Sequence, residues 1–85
     1  MNHLCKGDMV KVKPDLGPAF SEELFPRNCV AIVVTVFGRS GSDTEFKVYV
    51  KGKGEVRGYK REHLEFLDQN HEATLELWKK LDKVS

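Results

Sequence analysis

From Phe46 to Tyr59 the chain alternates: Phe46, Val48 and Val50 with Lys47, Tyr49 and Lys51, then Val56 and Gly58 with Arg57 and Tyr59. Period-two alternation on both sides of a glycine-containing turn predicts a β-hairpin with one apolar face and one basic, aromatic face. Strand pairing selects the turn. A two-residue loop sets Val48 opposite Arg57, whereas the three-residue loop Gly52-Lys53-Gly54 pairs Val50 with Val56, Tyr49 with Arg57 and Lys47 with Tyr59. Only the second keeps both faces consistent, because a one-residue slip turns every side chain over. Gly54 then takes the left-handed position that closes such loops.

The same pattern organises the rest of the chain. Met9-Val10-Lys11-Val12-Lys13 alternates as a strand and stops at Pro14, which lacks a backbone donor. Asp15 to Asn28 is a long connection with room for one helical turn before Pro26. Cys29 to Phe37 is β-branched and apolar on both faces, so both faces should be covered. A polar loop, Gly38 to Asp43, leads into the hairpin. After it, Lys60-Arg61-Glu62-His63 reads as a tight helical turn and Leu64 to Leu67 as a short strand. Asn70 is the expected N-cap of a helix over Glu72 to Val84, with Leu77, Trp78, Leu81 and Val84 on one side. Glu72 and Glu76 near its start and Lys79, Lys80 and Lys83 near its end suit the helix dipole. The reading is one domain over 1–85, mostly β: a small five-stranded barrel over 6–67 and a C-terminal helix over 70–84.

Charge changes this picture more than composition does. The formal net charge is +1, but Lys47 to Arg61 holds Lys47, Lys51, Lys53, Arg57, Lys60 and Arg61 against Glu55 alone, and Glu62 to Glu76 holds five acids and no Lys or Arg. The chain is dipolar. A chain of 85 residues buries only about 60–65% of its unfolded surface, so its stability is modest or shared with a partner. Two cysteines are too few for a disulfide scaffold, and the start, Met1 to Lys6, lacks the apolar run of a signal peptide. A cytoplasmic protein with reduced thiols is expected. The longest apolar run, Cys29 to Phe37, falls well short of the about 20 residues a membrane span needs, so no membrane partner is expected.

Candidate chemistry centres on the hairpin. Lysines, arginines and tyrosines on one sheet face neutralise phosphates and stack bases, which makes Lys47, Tyr49, Lys51, Lys53, Arg57, Gly58, Tyr59 and Arg61 the expected site for single-stranded RNA or DNA. The plainer reading is a solvated outer face whose lysines keep an exposed strand from aggregating, and the two carry similar weight. His3, Cys5, Cys29, His63 and His71 are metal-ligand types without organising spacing, so no metal or cofactor is expected. Neither cysteine has a base and an orienting group placed beside it in sequence, and no phosphate-cradling glycine loop occurs. A non-catalytic protein is expected.

Gly7-Asp8-Met9-Val10-Lys11-Val12 and Glu62-His63-Leu64-Glu65-Phe66-Leu67 resemble the first and last strands of SH3-like barrels, including the KOW modules of RNA-binding proteins. Val56-Arg57-Gly58 is similar to the core of the second Sm motif of Sm/LSm proteins, and the texture as a whole resembles small barrels of phages, the cyanophage Sm-like type among them. The first Sm motif is absent, and the helix follows the barrel instead of preceding it. This resemblance implies RNA contact by Arg57 beside the turn at Gly58, a homo-oligomeric ring joined edge strand to edge strand, and a role in RNA or DNA processing. SH3-like barrels also include subunits that dock proteins, so the alternative is a protein-docking adaptor whose acidic segment Glu62 to Glu76, or loop Asp15 to Asn28, meets a partner.

Overall fold

The computed structural model describes residues 4–17, 20–21, 23–38 and 44–84, residue 84 by its backbone alone. Much of the expected Gly38 to Asp43 loop and parts of the 15–28 connection therefore lie outside the described residues. Strands β1 (Met9–Val12), β2 (Cys29–Phe37), β3 (Glu45–Val50), β4 (Gly54–Lys60) and β5 (Leu64–Asp68) are followed by helix α1 (Glu72–Val84). All pairings are antiparallel, in the order β4-β3-β2-β1-β5. The fold is mostly β with a C-terminal helix, as the sequence pattern predicts.

The sheet is not closed, which corrects the expected barrel: among the described residues β4 and β5 are free edges. They are nonetheless joined by only a 3-10 turn, Arg61–His63. Five flat strands would set the two edges about 19 Å apart, further than four extended residues reach, about 14 Å. The sheet must therefore curl. The Lys13 N–H then donates to the His63 carbonyl at 2.9 Å, and β5 pairs with β1 instead of with β4.

Two bulges set which side chains face inward. β3 is regular, but each of its neighbours gains one residue on either side of the Lys47 level: β2 at Val34, between the pairs Val33/Val48 and Thr35/Lys47, and β4 at Gly58, between Lys47/Arg57 and Phe46/Tyr59. An inserted residue resets the alternation beyond it. The hairpin register accordingly differs from the expected one. Val50 pairs with Gly54 and Val48 with Val56, and the turn Lys51-Gly52-Lys53 is closed by the Lys53 N–H to the Val50 carbonyl at 3.0 Å. Past Gly58, Tyr59 turns into the core and is 0% exposed.

One face of the sheet buries Val10, Val12, Val33, Phe46, Val48 and Tyr59, closed over by Leu16, Phe20 and Phe25 from the 13–28 connection. One helical turn is present there, closed by the Phe25 N–H to the Ser21 carbonyl at 2.8 Å. The opposite face buries Ile32 and Tyr49 under Leu75 of α1, with Met9, Val34 and Trp78 around them. β2 is thus covered on both faces at its centre, as its apolar pattern requires, while Val30 and Val36 near its ends stay exposed.

The helix departs from the expected one at its start. Asn70 has φ +66° and does not cap; His71 does, its carbonyl accepting from the Leu75 N–H at 2.9 Å while its own N–H donates to the Gly7 carbonyl at 2.8 Å. Its ring lies 3.0 Å from Asp68 Oδ2 and 3.3 Å from Thr74 Oγ1. At the far end, Asp82 accepts from the Tyr49 hydroxyl and from the Gly52 N–H. Leu75, Trp78 and Asp82 therefore face the sheet, whereas Leu77 and Leu81 are exposed. The side chain of Val84 lies outside the described residues.

Gly58 has φ +115°, and a Cβ there would stand 3.1 Å from the Phe25 ring. Gly52 has φ +86° with nothing within 4 Å. Gly58→Ala should cost about 1–3 kcal/mol in urea unfolding from backbone strain and the Phe25 contact. Gly52→Ala, strained but in open space, should cost less; equal losses would show that the bulge and Phe25 are not coupled.

Candidate binding surface

The outer face of β2, β3 and β4 beyond the helix carries the groups expected to bind. The β2 bulge at Val34 brings Phe37 onto this face opposite Glu45, and the β4 bulge at Gly58 brings Lys60 opposite Glu45 from the other side. Lys47 sits between Thr35 and Arg57. Cross-strand neighbours of opposite charge follow: Lys47 Nζ lies 3.0 Å from Glu55 Oε1, Arg57 Nε 3.7 Å from Glu45 Oε2, and Lys60 Nζ 3.7 Å from Glu45 Oε1. Arg57 also lies over the Phe37 ring, 4.0 Å from its centroid. Such exposed pairs contribute about 0–1 kcal/mol each, so they order the surface more than they stabilise it.

Apart from the two tyrosines, the expected residues separate into four environments. Lys47 and Arg57 belong to this charge lattice. Lys51 and Lys53 sit at the hairpin turn, the Lys53 ammonium donating to the Glu23 carbonyl at 2.8 Å, and no carboxylate pairs with either lysine among the described residues. Arg61 lies in the 3-10 turn and donates to the Leu64 carbonyl at 2.6 Å. Gly58 is the bulge itself, so its role is to turn the strand.

The two tyrosines correct the expected stacking platform. Tyr59 lies in the core, its hydroxyl donating to the Pro26 carbonyl at 2.5 Å and its ring edge-on to Phe25 at 5.6 Å; burial holds the phenol far above its ordinary pKa of 10.0. Tyr49 is on the expected face, but α1 covers it to 6% exposure. Its hydrogen bond to Asp82, and then burial, push the phenol up to about 12. Neither ring is open to a base. The aromatic group that does reach the outer face is Phe37, which strict alternation along β2 would assign to the inner one. Glu45, Glu55 and Lys60 also belong to the surface; their places beside residues of opposite charge follow only from the observed register.

The other reactive groups are dispersed. Burial pushes the Cys29 thiol up, away from the thiolate form a nucleophile or metal ligand requires. Cys5 lines a shallow cleft of about 610 Å³ with Leu4, Lys6, Val34, Thr35 and Val36. His63 is buried edge-on to Phe20, and its Nδ1 accepts from the Lys60 N–H at 3.0 Å. Among the described residues no three His, Cys, Asp or Glu side chains group as metal ligands would, and no helix is long and apolar enough to cross a membrane.

Comparison with models of protein families, with curated proteins and with solved structures returned no match.

Desolvation lowers the His63 pKa below 6.5, the nearby charges of Lys60 and Lys13 adding to it and Glu62 opposing it. The folded state therefore holds this proton less tightly than the unfolded chain. Stability is full above pH 6.5 and falls as the pH drops below it and through the folded-state pKa. Urea midpoints between pH 7 and about 5, where carboxylates begin to intervene, should decline in the native protein and decline less in His63→Gln; parallel curves would contradict the assignment.

Proposed function

We propose that the protein is a non-catalytic docking module that assembles through the free edges of its sheet. One observation carries this reading: the open sheet presents two unpaired strands of opposite charge. β4 carries Arg57 and Lys60 against Glu55, with Arg61 just after it, while β5 carries Glu65 and Asp68 and no base, with Glu62 just before it. β5 also exposes Phe66 and Leu67. An exposed edge is a template for strand addition, and charge sets which strand it accepts. Joining β4 of one copy to β5 of the next is a head-to-tail contact, which closes into a ring or runs on as a filament. A cytoplasmic location is part of this reading.

Light scattering after gel filtration tests it. The native protein should run as an oligomer that dissociates with added salt. Arg57→Glu and Glu65→Lys should each weaken assembly, and mixing the two chains should recover it in part. A monomer under all conditions would overturn the proposal.

A second reading is favoured by the exposed cations. The Arg57 side chain is 60% exposed on Phe37, and the turn lysines lie at the tip of the same hairpin. Single-stranded RNA or DNA would then bind along Lys47, Lys51, Lys53, Arg57 and Arg61 by phosphate contacts, with stacking left to Phe37. Fluorescence anisotropy of a labelled RNA at about 50 and 200 mM salt should show saturable binding that weakens steeply with salt. Arg57→Ala should reduce it without unfolding, whereas Tyr49→Ala should destabilise the fold. Absence of binding at low salt would remove this reading and leave docking.

A further inference from the structure

Helix α1 is apolar on two opposite sides. Leu75 and Trp78 pack on the sheet, while Ala73, Leu77 and Leu81, spaced by four, form a stripe facing away from it. Leu77 is 54% exposed and Leu81 48%. An amphipathic surface helix ordinarily carries charge on that side. Here the outward stripe is the most apolar part of the helix surface, and charged residues run along one flank only.

We propose that this stripe pairs, antiparallel, with the same stripe of a second copy about a two-fold axis passing between Leu77 and Leu81. Charge selects both the occupant and the direction. Glu76 and Lys80 border the stripe on one flank, with Lys83 further along the same flank; Thr74 and Trp78 lie on the other. In an antiparallel pair Leu77 opposes Leu81 of the second copy and like flanks meet. Glu76 then stands against the second copy's Lys80 and Lys83, and the reciprocal contact follows from symmetry. In a parallel pair that flank meets Thr74 and Trp78 and finds no opposite charge. An anionic lipid surface matches the three lysines, but Glu72 and Glu76 sit at the same helix surface and oppose it.

The contact is short. Thirteen residues of helix span about 20 Å, and such a pair falls at the low end of interface sizes, so the dimer is weak and visible only at high protein concentration. It involves neither β4 nor β5 and is independent of assembly through the sheet edges.

Analytical ultracentrifugation of the full chain over a concentration series tests the proposal. Leu77→Ser/Leu81→Ser should leave the circular dichroism and melting unchanged, since both side chains are half-exposed, and should weaken the dimer about tenfold or more. Glu76→Lys should weaken it as well, and an equal mixture of Glu76→Lys and Lys80→Glu chains should form mixed dimers more strongly than either chain pairs with itself. Three results would overturn the proposal: a native protein that is monomeric throughout; self-association as strong in the serine variant as in the native protein, which assigns all of it to the edges; or stripe-dependent binding of a monomer to anionic phospholipid vesicles, which assigns the stripe to lipid.

Discussion

The fold depends on the residue inserted at Gly58. β3 keeps strict alternation, and its two neighbours fit it only because each gains a residue next to Lys47, β2 at Val34 beside the Lys47–Val48 step and β4 at Gly58 beside the Phe46–Lys47 step. The second insertion decides the core. Without it Tyr59 would share a face with Lys47 and Arg57; with it Tyr59 fills the centre of the sheet, reaches the Pro26 carbonyl and holds Phe25 over the bulge. Only glycine meets both demands at this position, a φ of +115° and a close approach by the Phe25 ring. That contact holds Phe25 of the 13–28 connection against the core built by the strands and adds apolar cover to a small chain.

The same device shapes the surface. Beyond the bulges, Phe37 and Lys60 join the outer face, so that Glu45 lies among Phe37, Arg57 and Lys60, and Glu55 answers Lys47. A run of basic residues in sequence becomes a lattice of alternating sign in space. Positive character is left mainly at the hairpin turn, and α1 covers the remaining aromatic group of that face, Tyr49. Along the sheet edges β4 carries Arg57 and Lys60 against Glu55, and β5 carries Glu65 and Asp68 with no base, which is the difference in sign that the proposed edge assembly uses.

The strands and the helix were legible because their patterns are strong: Cys29 to Phe37 and Glu72 to Val84 begin and end where the apolar periodicity does. Coverage of β2 on both sides followed from its having no polar face. The positions of the two tyrosines were not legible from alternation, since one inserted residue inverts everything after it. Gly58 inside a strand was a usable signal for a bulge. Val34 gave none, because a valine fits a regular strand equally well, and so Phe37 was missed. The rotation of the helix was not legible, because Leu77 and Leu81 are as apolar as Leu75 and Trp78; the hydrogen bonds from Tyr49 and Gly52 to Asp82 settle it, and these are tertiary contacts. Closure of the sheet was equally beyond local pattern, since it turns on whether two edges meet.

The chain has two tyrosines, so Tyr49→Phe leaves Tyr59 as the sole phenol, and its ionisation can be followed by ultraviolet absorbance as the pH is raised. A ring buried by the Gly58 bulge should show no ionisation near pH 10, where an exposed tyrosine titrates, and should ionise only at higher pH, together with unfolding. Reversible ionisation near 10 in a protein that remains folded would place Tyr59 on the outer face and contradict the account.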